Sequence, residues 1–432
     1  MKLLARTAKL ARDCDFLLFL ANFAVGKGLA FFGPIFLAIL LTPVAYGTLE
    51  FALATAQIVA IVATFGVPLA AMQLVVMRIG RKFKDILAGA GSLVGLAALT
   101  AAGVLALLGH EARWSLCAAF ACLYALQQCG VAYARAYGQR NLNVWIDHAP
   151  TLVALLLATI LAAIHRGDDV STLTVAACAF GTTGASAAGM IAWRTRAGDY
   201  LRRLREAAIL GLPMLGSSLI GAWMVSSGRV YMGLFFSEAD VYAYAFTFRV
   251  SSLLVLLQAV VGTAFAPQLY KMPTRRFDPI AAVLVGAVAA AALTLVLIAP
   301  ERLVAERTST YNLSIILAHP AVALVPLQVF FWTATALIEL RVNRARRSGS
   351  VAITNSVVVG VGASILFLLR AANLIRFETV LIVVVVQQAA ACCTFHSALA
   401  RRKIPLRATA MTTAFGAVAL LTAVLLKWQV AG

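Results

Sequence analysis

The sequence predicts an all-α protein that crosses a membrane many times, and three observations predict it. Of 432 residues, 62% are hydrophobic and only 12% charged, with a mean hydropathy of +0.92, too apolar for a chain that must cover its surface with polar groups. Apolar runs recur from end to end, each near the roughly 20 residues that a helix needs to cross about 30 Å of hydrocarbon. Most of the charge sits in short turns between those runs, so no soluble domain of useful size remains.

Taken in order, the runs place spans near 16–41, 45–77, 86–108, 114–134, 145–164, 170–193, 208–236, 241–269, 280–299, 314–340, 351–369, 379–399 and 408–426, about 13 in all within a range of 12 to 14. Ahead of them, residues 1–15 read as an amphipathic lead-in on the cytoplasmic face, with Lys2, Arg6 and Lys9 near the headgroups of anionic membrane lipids. The net charge of +19 would suggest a nucleic-acid partner in a soluble protein, but its distribution excludes one. With the N-terminus in the cytoplasm, cytoplasmic segments hold 26 of the 36 Lys and Arg, external segments 7 and the spans 3. The basic turns RIGRKFK (78–84), RTRAGDYLRRLR (194–205), KMPTRR (271–276), RVNRARR (341–347) and RRKIPLR (401–407) all fall on that one side. The seven cysteines lie in or beside apolar runs without CxxC spacing, so they read as small core hydrophobes, with neither disulfide nor metal site.

The chain also repeats itself. At an offset of 195 residues, 42–74 lies over 237–269 without a gap, so that Leu74 and Gln73 meet Leu269 and Gln268, and Phe51 meets Phe246. Upstream, Gly26 and Gly33 meet Gly221 and Gly228; downstream, Arg81 meets Arg276. That offset spans six helices, an even number, so both copies enter the membrane in the same sense. The expected architecture is two parallel-repeat lobes, 1–206 and 207–399, around a central cavity, with 400–432 as an extra C-terminal helix.

Three cations lie inside spans: Lys27, Arg229 and Arg249. A charge at membrane depth costs about 2.5 to 3.5 kcal/mol even on the lenient insertion scale, so such residues face a wet cavity or a partner. A guanidinium can fork onto phosphate oxygens, whereas an ammonium acts as a point charge. Just past span four, Tyr133, Arg135, Tyr137 and Arg140 mix aromatic and basic groups, suited to sugar stacking and phosphate capture but equally to anchoring at the interface. The acids within spans are Glu50, Asp147 and Glu339, all near helix ends. Glu50 stands where it could pair with a cavity cation or take up a coupling proton or sodium ion; Asp147 and Glu339 read as solvated or interfacial. Asn22, Gln57, Gln127 and Gln128 either wet a cavity or knit helices together. Gly66 and Pro68 in span two, with Gly26, Gly28, Gly33 and Pro34 in span one, suit bending helices. Gly26-Lys27 is followed by Gly28 rather than by a phosphate-loop pattern, so no ATP site or other cofactor is expected.

Pro43 to Gly47 (P-x-x-Y-G), the FGVPLA of 65–70, the GLP of 211–213, and the VYAYAFTFRV and FAPQLY phrases of the second repeat together resemble bacterial polysaccharide flippases of the multidrug, oligosaccharidyl-lipid and polysaccharide exporter superfamily. The resemblance covers roughly 10–85 and 205–275. It implies a non-enzymatic transporter in the bacterial inner membrane that moves an undecaprenyl-diphosphate-linked oligosaccharide from the cytoplasmic to the outer leaflet by alternating access, for surface polysaccharide biosynthesis beside other polysaccharide-assembly membrane proteins. By the same resemblance Lys27, Arg229 and Arg249 line the central cleft and bind the substrate; to these the residues themselves add Arg135 as a candidate at the cytoplasmic mouth and Glu50 as a candidate for coupling an ion. An ion-coupled multidrug antiporter of the same superfamily predicts an acidic cavity instead. A membrane-embedded glycosyl-transferring enzyme predicts a larger external loop than the roughly fourteen residues found at 300–313.

Overall fold

The computed structural model describes residues 2–70, 83–137, 139–164, 170–192, 197–305, 319–345 and 348–431. Among them the protein is built from helices: α1 (Lys2–Leu40), α2 (Pro43–Ala63), α3 (Phe83–Leu107), α4 (Ala112–Ala136), α5 (Arg140–Ala163), α6 (Val170–Ala192), α7 (Ala197–Phe235), α8 (Glu238–Lys271), α9 (Thr274–Ala305), α10 (Val325–Arg344), α11 (Ser348–Ala371), α12 (Phe377–Ala400) and α13 (Arg407–Ala431), with a short 3-10 helix at Pro320–Leu324. Each predicted span overlaps one of them; residues 71–77 of span two, 193 of span six and 314–318 of span ten lie outside the described residues. Eleven helices of the described residues are long and apolar enough to cross a membrane, and the bent pair Tyr200–Leu212 and Met214–Phe235 makes a twelfth when counted as one span. The protein is an all-α, multi-pass membrane protein.

Helix boundaries carry the duplication further than residue identities do. α1 and α7 end at Leu40 and Phe235, 195 residues apart, and α2 and α8 begin at Pro43 and Glu238, again 195 apart. Later the offset becomes 208: α5 and α11 end at Ala163 and Ala371, and α4 and α10 at Ala136 and Arg344. The difference of 13 residues enters between α9 and α10, where no match to the first repeat was visible in sequence.

Two compact units form. The first holds Met1–Leu40 and Val59–Leu215, the second Leu41–Ile58 and Gly216–Gly432. In the first, α1 packs on α5, and α3, α4 and α6 pack on one another. In the second, α10 packs on α8 and α12, α12 on α11, and α9 on α13. The chain passes between the units at 40/41, 58/59 and 215/216, so that 41–58, which begins α2, belongs to the second unit. Glu50 gives the physical reason: a fully buried carboxylate goes where its counter-ions are, and both are in that unit.

Span two, expected unbroken over 45–77, breaks at its Gly-Pro signal. Thr64 to Gly66 form a turn, with Phe65 at φ 48° and Gly66 at φ 71°. A Cβ on Gly66 would sit 2.4 Å from the carbonyl oxygen of Gly211, and one on Gly211 would sit 2.2 Å from that of Gly66. Two backbones therefore touch where only glycine permits it. The hydroxyl of Thr64 donates to Gln128 Oε1 at 3.2 Å, tying the turn to α4.

The extra helix α13 is fixed by a cap supplied from α9. The carboxylate of Asp278 accepts the backbone N–H groups of Ala408 and Thr409, each at 2.9 Å, and the Thr409 hydroxyl at 2.7 Å. These are donors that a helix leaves unpaired in its first turn.

Candidate functional site

The second unit contains a buried ionic triad. Glu50 stands two turns into α2, Arg229 less than two turns from the end of α7 and Arg249 three turns into α8, so all three lie within the same end of the bundle. Arg249 forks onto the carboxylate, Nε donating to Oε1 and Nη2 to Oε2, both at 2.9 Å. Arg229 Nη1 donates to Oε2 at 2.8 Å, and the Tyr46 hydroxyl to Oε1 at 3.3 Å. Glu50 is 1% exposed, Arg229 4% and Arg249 19%. One carboxylate thus faces two guanidiniums, leaving one positive charge uncompensated within the triad.

The surroundings support that charge. Arg229 lies over the Phe248 ring, 5.4 Å from its centre, a favourable seat for a desolvated cation. Its Nη2 donates to the Ser226 hydroxyl at 3.4 Å, which in turn donates to Gln57 Oε1 at 3.3 Å, so Gln57 knits helices. Arg229 Nε is buried with no hydrogen-bond partner. The Tyr46 ring meets Tyr242 edge-on at 5.5 Å.

The first unit repeats the stoichiometry with different residues. Lys27 Nζ lies 3.5 Å from Asp147 Oδ2, and Arg135 Nη2 lies 4.0 Å from Oδ1 of the same carboxylate. Arg135 Nε donates to Asn143 Oδ1 at 3.2 Å, and Gln127 donates to the backbone carbonyl of Asp147, so α4 and α5 are pinned at this level. Close approach of α1 to α5 brings Lys27 within reach: a Cβ on Gly26 would meet Val144 at 2.6 Å. Unlike Glu50, Asp147 is 31% exposed and Lys27 22%, so this cluster is open.

The structure therefore places Lys27 with Arg135 in one unit, and Arg229 with Arg249 and Glu50 in the other. Asp147, which read as a solvated first-turn acid, is instead the counter-ion shared by two of the predicted cations. The signal that could have found it is helical spacing: Asn143 and Asp147 are four residues apart and so share one face of α5. The aromatic partners Tyr133 and Tyr137 meet at a tilt of 43° with ring centres 4.8 Å apart on the α4 end that carries Arg135, while the Arg140 side chain lies outside the described residues.

A third feature was not visible in the sequence. Within the second unit a cavity of about 610 Å³ is lined by Gly221, Met224, Thr335, Glu339, Asn355 and Gln388, among others. Asn355 and Gln388 are 2% and 1% exposed, and the side-chain oxygen of each has no hydrogen-bond partner. Through the offsets of 195 and 208, Gly221 corresponds to Gly26, Thr335 to Gln127 and Asn355 to Asp147, while Lys27 corresponds to Ala222. Where the first repeat holds an ammonium against a carboxylate, the second holds an open cavity with unpaired amide oxygens.

No family model matches the sequence, and no curated protein matches it. Solved structures do. The chain is similar to the lipid II flippase MurJ in an inward closed conformation, with a TM-score of 0.59 at 10% identity over 95% of this chain and 97% of that one. It is similar also to a MATE transporter of Vibrio cholerae, with a TM-score of 0.52 at 16% identity over 92% of this chain and 99% of that one. At such identities the likeness establishes a shared fold.

Proposed function

We propose that the protein is a transporter that carries a diphosphate-linked lipid oligosaccharide, of the undecaprenyl-diphosphate class, from the cytoplasmic to the outer leaflet of a bacterial inner membrane by alternating access. The observation that carries this reading is the charge balance of the two intramembrane clusters. Each pairs two cations with one carboxylate, so each retains one positive charge at a depth where an uncompensated charge is costly. A diphosphate supplies the missing negative charge and suits both a forked guanidinium and a point-charge ammonium.

In this mechanism Lys27, Arg135, Arg229 and Arg249 are the groups that engage phosphate during transport. Asp147 and Glu50 act as internal stand-ins for it, keeping the cations satisfied while the headgroup is absent. No covalent chemistry on the substrate is required. A multidrug antiporter of the same fold is less well supported at Glu50 and Asp147, which each already sit against two cations; that reading would place its cationic drug at Glu339, on the lining of the second unit's cavity.

A coupling ion has two places to act. Protonation of Glu50 would release both arginines toward a phosphate, at the expense of desolvating them. The Asn355 and Gln388 cavity offers unpaired oxygens and no competing cation among its lining residues, which favours it as the seat of a hard monovalent cation such as sodium, because hard cations take oxygen ligands. The experiment that tests the transport reading is deletion of the gene followed by leaflet-specific labelling of lipid-linked glycan. Accumulation in the cytoplasmic leaflet supports it. Unpolymerised repeat units outside, or changed drug sensitivity with normal glycan export, contradicts it.

A further inference from the structure

A second cavity, which shares Val351 with the first, lies where the basic turn 401–407 leaves the membrane. It opens onto about 620 Å³ of space, open solvent included, between the first turns of α11 and the last turns of α12, and its lining includes Ser350, Thr354, Cys393, Thr394, Ser397 and Arg401. Four hydroxyls and one guanidinium line it, and no carboxylate does. Arg402 and Lys403 are exposed on the same turn; the backbone N–H groups of 401 to 404 bond back to the carbonyls of Ser397, Leu399 and Ala400, which holds that turn against the helix end. Thr354 and Thr394 donate to the carbonyls of Ser350 and Ala390 at 3.1 and 2.9 Å, bonds a hydroxyl rotor gives up readily for a charged acceptor.

The depth is informative. The two helices count as spans over Gly349–Ala371 and Phe377–Ala400, so Ser350 and Arg401 stand at the level of lipid headgroups, with Thr354 and Thr394 one to two turns deeper. Deeper along α11 than the cavity, Val357 and Val361 are exposed, an apolar surface for acyl chains. The first repeat lacks most of this lining: at the offset of 208, Ser350, Thr354, Ser397 and Arg401 correspond to Leu142, Ile146, Gly189 and Trp193, and of the four hydroxyls only Thr394 keeps a hydroxyl counterpart, Ser186.

We propose that this cavity binds a phosphate group, its oxygens held by the Arg401 guanidinium and the hydroxyls of Ser350, Thr354, Thr394 and Ser397. The group is either the phosphodiester headgroup of an anionic bilayer lipid or a free phosphate, two sources of the same chemistry. The site is separate from the proposed transport clusters and stands whether or not they carry a glycolipid.

Cys393 supplies the test, because its exposed thiol lies inside the cavity. The full-length protein with its other six cysteines replaced by alanine is reconstituted in phosphatidylcholine vesicles, with or without phosphatidylglycerol, and separately kept in neutral detergent with or without inorganic phosphate. The rate of alkylation of Cys393 by N-ethylmaleimide is measured in each. Phosphatidylglycerol slows the reaction about tenfold, the size a charge-assisted hydrogen bond confers, and Arg401→Gln removes most of the slowing, as does Thr354→Val combined with Ser397→Ala. Protection by phosphatidylglycerol alone identifies a lipid site, and protection by phosphate as well identifies a general phosphate site. Three results overturn the proposal: protection by neither, equal protection in Arg401→Gln, which is a surface-potential effect, and a thiol unreactive in phosphatidylcholine, which denies an open cavity.

Discussion

Arg249 grips Glu50 with both prongs of its guanidinium, at 2.9 Å each, although the two residues are 199 apart in sequence. With Arg229 on the same carboxylate, the contact joins the start of α2 to α7 and α8 and explains why most of α2, up to Ile58, belongs to the second unit. Removing the carboxylate leaves two guanidiniums in apolar surroundings. Glu50→Gln is therefore expected to destabilise the protein by about 3 to 5 kcal/mol, read as a fall in the thermal unfolding midpoint in detergent. Arg229→Gln is expected to cost less, because Arg249 still satisfies the carboxylate. Equal stability in Glu50→Gln would contradict the triad.

Asp147 makes the opposite prediction. Its cluster is partly exposed, so Asp147→Asn should change stability by no more than about 1 kcal/mol. If it restrains Lys27 and Arg135 against the substrate, as proposed, the same variant should bind a diphosphate headgroup more tightly and turn over more slowly. Equilibrium binding of a short-chain prenyl diphosphate, measured beside transport, checks both halves.

Gly66→Ala tests the turn that interrupts span two. Alanine there meets both a left-handed backbone angle and the Gly211 carbonyl, and the strain is expected to cost about 1 to 3 kcal/mol. Gly28→Ala has open space around its Cβ and should be close to neutral, so the pair of unfolding midpoints separates strain from the mere loss of a glycine.

At the opposite end of α8 from the basic turns, Asp240 Oδ1 lies 3.0 Å from His319 Nε2, and the His319 ring stacks on Phe377 at 4.3 Å. The hydrogen bond with His319 is the main reason the Asp240 carboxyl is held below its usual range; burial opposes it and Ser237 assists. A lowered carboxyl pKa gives stability that is present above the unfolded value of about 3.9 and is lost as pH falls through the lower folded value. Asp240→Asn should thus lower the unfolding midpoint at neutral pH by an amount equivalent to about 1 kcal/mol. The gap between variant and wild type should close as the pH falls below about 4. A gap that persists unchanged at acid pH contradicts the assignment.

Much of this fold was legible because membrane physics leaves few choices. Hydrocarbon requires helices, helices of a fixed length and charges at their ends, so every predicted span overlaps a helix and the repeat register of 195 reappears in helix boundaries. Less was legible where position depends on tertiary contact. Lys27, Arg229 and Arg249 stood out by depth alone, but the sequence could not show that Glu50 takes two of them and Asp147 the third, since ion pairs 199 and 120 residues apart leave no local signal. The change of offset to 208 also hid the correspondence of Asp147 with Asn355, and with it the cavity in the second repeat.

The central claim is that cations within the membrane recognise a diphosphate headgroup on its way between leaflets. Its most direct measurement is flipping of a prenyl-diphosphate-linked oligosaccharide in proteoliposomes, read by glycan accessibility to an external enzyme, for the wild type, Lys27→Gln and Arg249→Gln. Each variant is expected to lose at least about tenfold in rate, the equivalent of one phosphate contact, with an unfolding midpoint close to that of the wild type for Lys27→Gln. Wild-type flipping rates in both variants, or equal loss for a neutral lipid lacking the diphosphate, would contradict it.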